Sequence, residues 1–318
     1  VVWGLPALRY ARAGALFSGG QYAAARAAFA DMGDYGESAA MLPRCDYAMA
    51  DQELSEGTQA SLQSAIEHFT ALGAYENSSE KINEATYALA KLHQDAGDTQ
   101  TALSLYRQLG DYQDCVERIL ACRYTDAETA YAAAAYGDAL AIYDELGEYQ
   151  DSADKAQHCH LELARRLRDS GDLAHALAEL ENAGELSERA PLEKEIAYEL
   201  AQQYENDGQL REAGEMYLRA GDTQDAPQRA DNALYQAGAA AMEASDYEGA
   251  AAAFALIPDY LDAQSRHELC VLALALRKEE AGDIQAAYDL YASMPDDPTA
   301  QVGQKRTLLL LGKQALEN

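Results

Sequence analysis

One phrase recurs along the chain: an aromatic residue, three spacer residues, then Gly-Asp-Tyr-x-Asp-Ser or a close variant. Its clearest copies run from Tyr106 to Cys115 and from Tyr143 to Ser152. With the aromatic as anchor, the copies fall at Phe29, Phe69, Tyr106, Tyr143, Leu180, Tyr217, Phe254 and Tyr291, so the first interval is 40 and every later one 37. Four residues before each anchor stands an alanine: Ala25, Ala65, Ala102, Ala139, Ala176, Ala213, Ala250 and Ala287. A unit of this size is one supersecondary element that cannot bury its own apolar face, so the copies must stack on one another.

A second column precedes the anchor at a constant offset, as Tyr87 precedes Tyr106: Tyr10, Tyr87, Tyr124, Leu161, Tyr198, Tyr235 and Leu272. Tyr47 joins it once three extra residues around Glu56 to Ser61 are allowed, which also accounts for the single longer interval. Three residues after that column comes a small residue (Ala13, Ala50, Ala90, Ala127, Ala164, Ala201, Gly238, Ala275), and a turn glycine follows at 20, 57, 97, 171, 208 and 282.

The spacings predict two helices per unit, a first of about 18 residues and a second of about 12, with a glycine turn between them. On the second helix the alanine and the anchor are i and i+4 on one apolar stripe. Gly33, Gly73, Gly110, Gly147, Gly184 and Gly221 are expected to close it in the left-handed C′ conformation. Pro258 and Pro295 are expected to stop the helix in the last copies. Asn77 with Glu80, Asp114 with Glu117, and Asp225 with Gln228 have capping-box spacing for the next first helix, and Pro227 suits a first turn. Small residues at facing positions let the two axes approach while the aromatic fills the space beside them.

Composition agrees. Of 318 residues 66 are Ala, 7 Pro and 1 Trp, so strands are not expected. Apolar content of 48% and charged content of 25% are those of a folded body. The 54 acidic against 24 basic side chains give a net charge of −30, which excludes a generic nucleic-acid binder. The apolar runs, such as Leu269 to Leu276 and Leu308 to Leu311, are too short to span a bilayer, so no direct membrane insertion by this segment is expected. The chain begins at Val1 without a Met, as expected of a piece trimmed from a longer product. Five cysteines, an odd and low number, are expected as free thiols.

The Gly20, Ala25, Phe29 and Gly171, Ala176, Leu180 spacings resemble the tetratricopeptide repeat, with its small residue in helix A, glycine turn and Ala-x-x-x-Phe in helix B. The resemblance covers the whole chain. It departs from the family in its 37-residue period, its weak helix A Trp-x-x-Leu-Gly portion and its added Gly-Asp-Tyr-x-Asp-Ser corner. It is closest in kind to a bacterial, Firmicute-type variant, in which the array often follows a membrane anchor and a zinc ribbon. The resemblance implies an all-α, TPR-like α-α superhelix, a solenoid of about eight helical hairpins plus a C-terminal closing helix. The whole of 1–318 would be one array, with repeats near 1–36, 37–76, 77–113, 114–150, 151–187, 188–224, 225–261 and 262–298, and a closing helix at 299–318. It also implies a location on the outer face of a bacterial membrane, with Val1-Val2-Trp3 as the tail of an anchor; a cytoplasmic location is the alternative.

Function follows from the same resemblance: a non-catalytic scaffold presenting an extended concave surface, lined by helix A, to a protein or peptide. A spacer or sensor ectodomain, or an accessory segment of a larger enzyme, is the alternative. The tyrosine column on helix A, Tyr10, Tyr47, Tyr87, Tyr124, Tyr198 and Tyr235, is the candidate partner-binding strip. The same column is equally a packing position shared by every unit, and the corner tyrosines Tyr35, Tyr75, Tyr112, Tyr149 and Tyr260 are expected to tie one repeat to the next. The acidic surface suits a basic partner, or serves solubility.

Cys45, Cys122, Cys159 and Cys270 share one column and so are expected buried, without the paired spacing of a zinc site. His158-Cys159-His160 carries ligand chemistry, but side chains two apart on a helix diverge. No catalytic residue, metal or cofactor is expected, since no nucleophile has an identifiable base. If the stacking reading holds, Ala139→Leu costs about 1–3 kcal/mol by overpacking and Tyr143→Ala about 3–5 kcal/mol, both measurable by urea unfolding.

Overall fold

The computed structural model describes residues 4–317, and every regular element among them is a helix. Val1, Val2 and Trp3, the suggested anchor tail, lie outside the described residues. The helices alternate in length. The helix A members are α1 (Gly4–Ser18), α3 (Ser38–Glu56), α5 (Ser78–Asp95), α7 (Cys115–Ala132), α9 (Ser152–Ser170), α11 (Arg189–Asn206), α13 (Ala226–Glu243), α15 (Ala263–Glu280) and α17 (Pro298–Glu317). The helix B members are α2 (Tyr22–Ala30), α4 (Gln59–Leu72), α6 (Thr99–Leu109), α8 (Tyr136–Leu146), α10 (Leu173–Asn182), α12 (Leu210–Ala220), α14 (Tyr247–Ala255) and α16 (Ile284–Ala292). The eight hairpins are therefore as expected, and the closing helix expected at 299–318 is α17, Pro298–Glu317.

The A–B turns are glycines with φ between +66° and +85°, at the six predicted positions. Asp98, Asp246 and their equivalents Asp172 and Asp283 then cap helix B, each accepting from the backbone N–H three residues on. The three-residue insertion is absorbed in repeat two, where α3 ends later and Thr58 with Ser61 makes a reciprocal capping box for α4.

Two expectations are corrected. Asn77, Asp114 and Asp225 are not side-chain caps of helix A. Their backbone, with φ from −100° to −102° and ψ from 19° to 33°, is not the extended cap conformation, so their side chains project away from the first turn. The glycines ending helix B also differ: Gly73, Gly110, Gly147 and Gly221 sit near φ +60°, ψ −120°, not in the left-handed helical region. That conformation is closed to residues with a Cβ, which explains the glycine more strictly than a helix cap would.

The helices fall into two compact units, divided between Ala156 and Gln157. Within each, helices pack chiefly on their sequence neighbours. In the first unit Ala13, Ala25, Phe29 and Cys45 form one core cluster, and Ala90, Ala102, Tyr106, Cys115 and Cys122 another. Each joins a hairpin to the following helix A. In the second unit Phe254 is buried between Ala250 and the next helix A, with Cys270, Val271 and Ala275. The small column permits this approach: a Cβ on Gly238 would meet the Phe254 ring at 2.8 Å.

Two A–B turns lack glycine. Ala134 at φ +58° and Ser245 at φ +62° hold the conformation that glycine holds elsewhere. A left-handed L-residue costs about 1–2 kcal/mol. Ala134→Gly and Ser245→Gly are each expected to raise the urea-unfolding free energy by about 1 kcal/mol, whereas Gly97→Ala lowers it.

Candidate functional site

The tyrosine column lies on helix A as predicted, and each ring is wedged edge-on against aromatic neighbours. Tyr87 meets Tyr106 of helix B at 6.1 Å and the corner Tyr112 at 5.9 Å between centroids. Tyr124 repeats this with Tyr143 and Tyr149, and Tyr235 with Phe254 and Tyr260. Tyr47 lies between Phe69 and Tyr75, and Tyr10 between Phe29 and Tyr35. Tyr198 touches Tyr217 alone at 5.6 Å, because its corner residue is Thr223, and it is buried. Edge-to-face contacts of this kind add about 0.5–1.5 kcal/mol each beyond the area they bury.

The hydroxyls reach forward to the next repeat. Tyr87 donates to Asp114 at 2.5 Å, Tyr198 to Asp225 at 2.5 Å and Tyr235 to Asp262 at 2.6 Å; Tyr124 donates to Asp151 and Tyr47 to Asn77. The corner side chains missing from the helix caps are therefore latches between repeats. Four residues further on, Arg118, Arg229 and Arg266 donate from Nε to the same carboxylates at 2.9–3.0 Å. Arg118 and Arg266 lie over the rings of Tyr87 and Tyr235 at 5.5 and 5.1 Å. Where that position is lysine, the ammonium turns instead to a carboxylate of the preceding helix A: Lys81 to Asp51 at 2.9 Å and Lys155 to Glu128 at 3.0 Å.

The helix B anchors that are tyrosines are satisfied in the same way. Tyr106 donates to Gln94 at 2.8 Å, Tyr217 to Glu205 at 2.6 Å and Tyr291 to Glu279 at 3.1 Å, while Tyr143 donates to Glu128. Their rings can be buried fully because their one polar atom has a partner.

Sequence reasoning missed these latches, although a register signal existed. Tyrosine, Asp and Arg or Lys recur at offsets 0, 27 and 31 from Tyr87, Tyr124, Tyr198 and Tyr235, and Tyr47 has Asn77 and Lys81 at 30 and 34 across the insertion. Where the column is Leu161 the partners are Glu188 and Leu192, and where it is Leu272 they are Thr299 and Gly303. In those two copies the hydroxyl donor and the basic residue are lost together, whereas Tyr10 keeps its hydroxyl opposite Glu37 and Met41.

The other candidates are placed plainly. All five cysteines are buried and none forms a disulfide, and burial pushes the thiols of Cys45, Cys115, Cys122 and Cys270 up. His160 bonds Glu179 at 2.7 Å, and among the described residues no three His, Cys, Asp or Glu side chains converge as metal ligands. No helix among the described residues is long and apolar enough to cross a membrane.

The class these features define is an all-helical array of stacked hairpins joined by tyrosine–carboxylate corners. No family model and no curated protein sequence matches the chain. Among solved structures, it is similar to the P58(IPK) TPR domain, at 14% identity over 97% of this chain and 99% of that one, with a TM-score of 0.25. It is similar to the human IFIT1 dimer with PPP-AAAA, at 15% over 96% and 73%, TM-score 0.24. A Rap protein complexed with competence and sporulation factor is similar at 15% over 98% and 99%, TM-score 0.19. At these values the likenesses add no argument, and the architecture stands on the chain's own helices.

The latches carry a pH dependence. Asp114 is held below the usual carboxylate range by the Tyr87 hydroxyl, then Arg118; Asp225 by Arg229, then Tyr198; Asp262 by Tyr235, then Arg266. A carboxyl lowered in the folded state contributes stability that is present above about pH 4 and is lost as pH falls through its folded value. In the other direction, the Asp151 hydrogen bond and burial push Tyr124 up to about 12, so its contribution is lost as pH rises beyond about 10 toward that value. The triple variant Tyr87→Phe, Tyr198→Phe, Tyr235→Phe keeps the rings and removes the donors. Its acid midpoint of helix loss, followed by circular dichroism, is expected at higher pH than that of the parent; an unchanged midpoint would show that the hydroxyls do not hold the corners.

Proposed function

We propose that the protein is a non-catalytic repeat scaffold that binds a protein or peptide along the surface lined by helix A. The observation that carries this reading is the recurrence of one helix-A face in successive repeats, with tyrosine rings in register and solvent-facing side chains such as Thr125 and Gln236 beside them. A repeated face offers equivalent contacts at regular intervals, which suits an extended partner. The hydroxyls of Tyr47, Tyr87, Tyr124 and Tyr235 are already engaged, so these half-buried residues offer a partner ring surface, Tyr10 extends the strip, and the buried Tyr198 drops out of it. The net charge of −30 favours a basic partner. The 37-residue period and the Gly-Asp-Tyr-x-Asp-Ser corner support the finer assignment to a bacterial, Firmicute-type variant of the tetratricopeptide repeat.

Tyrosine substitutions would confound binding with stability, so the test places a photoreactive phenylalanine analogue elsewhere. Variants carry it at Thr125 or Gln236 on helix A, or at Asp144 or Glu212 on exposed positions of helix B, and are irradiated in a lysate of the source organism. A discrete adduct from the helix A positions, absent from the helix B positions, is expected. Adducts from helix B alone, or none from either, would overturn the reading.

A further inference from the structure

The first hairpin contains an aromatic site whose equivalent near the other end is filled by the chain's own cation. Tyr247, the first residue of α14, lies under the guanidinium of Arg277, which is 4.7 Å from its ring centroid. Arg277 lies five residues after Leu272 in the helix-A column. Tyr22 is likewise the first residue of α2, and the residue five after Tyr47 in the same column is Gln52. The first repeat thus has the tyrosine, and the following helix A presents a neutral amide where Arg277 lies beside Tyr247.

Phe17 packs against the Tyr22 ring with centroids 5.3 Å apart, and the rest of its surroundings are open. Two hollows of about 510 and 570 Å³ share Gly20, Tyr22 and Gln52 as walls. One extends past Met49 to Glu53 and Glu56, the other past Tyr47 to Asp51. Asp51 already holds Lys81 at 2.9 Å, and Glu53 is bonded by His68 and Ser64. Glu56 is exposed at the end of α3, with no cation paired to it among the described residues. An aromatic face with carboxylates beside it, next to a position that is arginine opposite Tyr247 and neutral here, has the chemistry of a guanidinium site.

We propose that the hollow at Tyr22 receives an arginine side chain of a basic partner peptide, stacked on the Tyr22 ring as Arg277 is on Tyr247 and neutralised by Glu56. This rests on the scaffold reading and names one anchoring point within it. A lysine would satisfy the charge but not the planar stacking that the Tyr247 site displays. Gln52 leaves the ring uncovered by a cation of the chain itself, so the contact is available to a partner.

The test is fluorescence anisotropy with the full chain at about 0.15 M salt, where long-range attraction to the acidic surface is screened beyond about 8 Å. The probes are a fluorescein-labelled Gly-Ser-Arg-Gly-Arg-Ser-Gly peptide and its counterpart with citrulline, the neutral isostere, for arginine. The arginine peptide is expected to bind more tightly. Tyr22→Leu should weaken it about 2- to 5-fold, the range of an exposed cation–π contact. Gln52→Arg, which supplies the guanidinium internally, should reduce it to the citrulline level, while Gln108→Arg, the same charge change on α6, should leave it nearly unchanged. Equal losses in Gln52→Arg and Gln108→Arg, or no loss in either Gln52→Arg or Tyr22→Leu, would overturn the proposal. Gln52→Arg alters a solvent-exposed position, so it remains informative even where Tyr22→Leu fails to fold. A partner cross-linked from helix A whose capture ignores Gln52→Arg would remove this site and leave the scaffold reading standing; failure of cross-linking with intact arginine selectivity would do the reverse.

Discussion

Everything in this chain depends on close approach between a hairpin and the helix that follows it. Anchors are covered by the helix that follows their hairpin: Phe254 by Cys270 and Val271 of the next helix A, and Tyr106 by Cys115 and Cys122. The alanines four residues before each anchor, all fully buried, set the spacing that makes this cover possible. A side chain larger than alanine there would separate the axes, and the loss would pass to the neighbour, because in a nearest-neighbour array each interface contributes to two repeats. Stability is therefore distributed over like interfaces, each with one of these alanines at its point of closest approach.

Close packing brings polar atoms into the interior, and the corner resolves that problem repeat by repeat. A tyrosine is a large anchor with one hydroxyl that needs a partner. Tyr106, Tyr217 and Tyr291 find it in a Gln or Glu of their own helix A, and Tyr87, Tyr198 and Tyr235 find it in the Asp of the following corner. The corner Asx can serve because the preceding residue, Gln113 or Gln224 for example, takes a left-handed backbone at φ near +50°. That turn prevents the side chain from capping its own helix and aims it back. The arginine four residues later then balances the carboxylate. In a chain of −30, such basic residues as Arg118, Arg229 and Arg266 are held inside the repeat contacts, which leaves the surplus negative charge facing solvent.

The fold was legible because its determinants lie in register: alanine, anchor and turn glycine recur at fixed offsets, and each has a steric reason that a sequence displays. The corner was less legible for two reasons. Asp114 followed by Glu117 has the spacing of a capping box, and only the backbone angles distinguish a cap from a latch. The contact among Tyr87, Asp114 and Arg118 reaches from one repeat into the next, so it emerges only when columns from different repeats are compared for joint loss, as at Leu161 with Leu192. The glycine at the end of helix B was located correctly but for the wrong conformation, since glycine identity reports that a Cβ is excluded without reporting which region excludes it. The tyrosine column was visible as a column, while its geometry, ring edge against ring and hydroxyl against carboxylate, needed the neighbouring repeat in place.

Repetition also determines where individuality can reside. A position that is the same in every repeat answers to stacking and carries little information about a particular partner. Tyr22 and Tyr247 begin their helices identically, yet Arg277 covers one ring and Gln52 leaves the other beside an open hollow. The stacking interface tolerates both, because the residue lies on the outer side of helix A, away from the small column that governs axis separation. Substitution there alters the chemistry of one hollow without disturbing the cover over any anchor. Such a chain can acquire a specific contact at a single repeat while the nearest-neighbour packing that maintains the array stays unchanged.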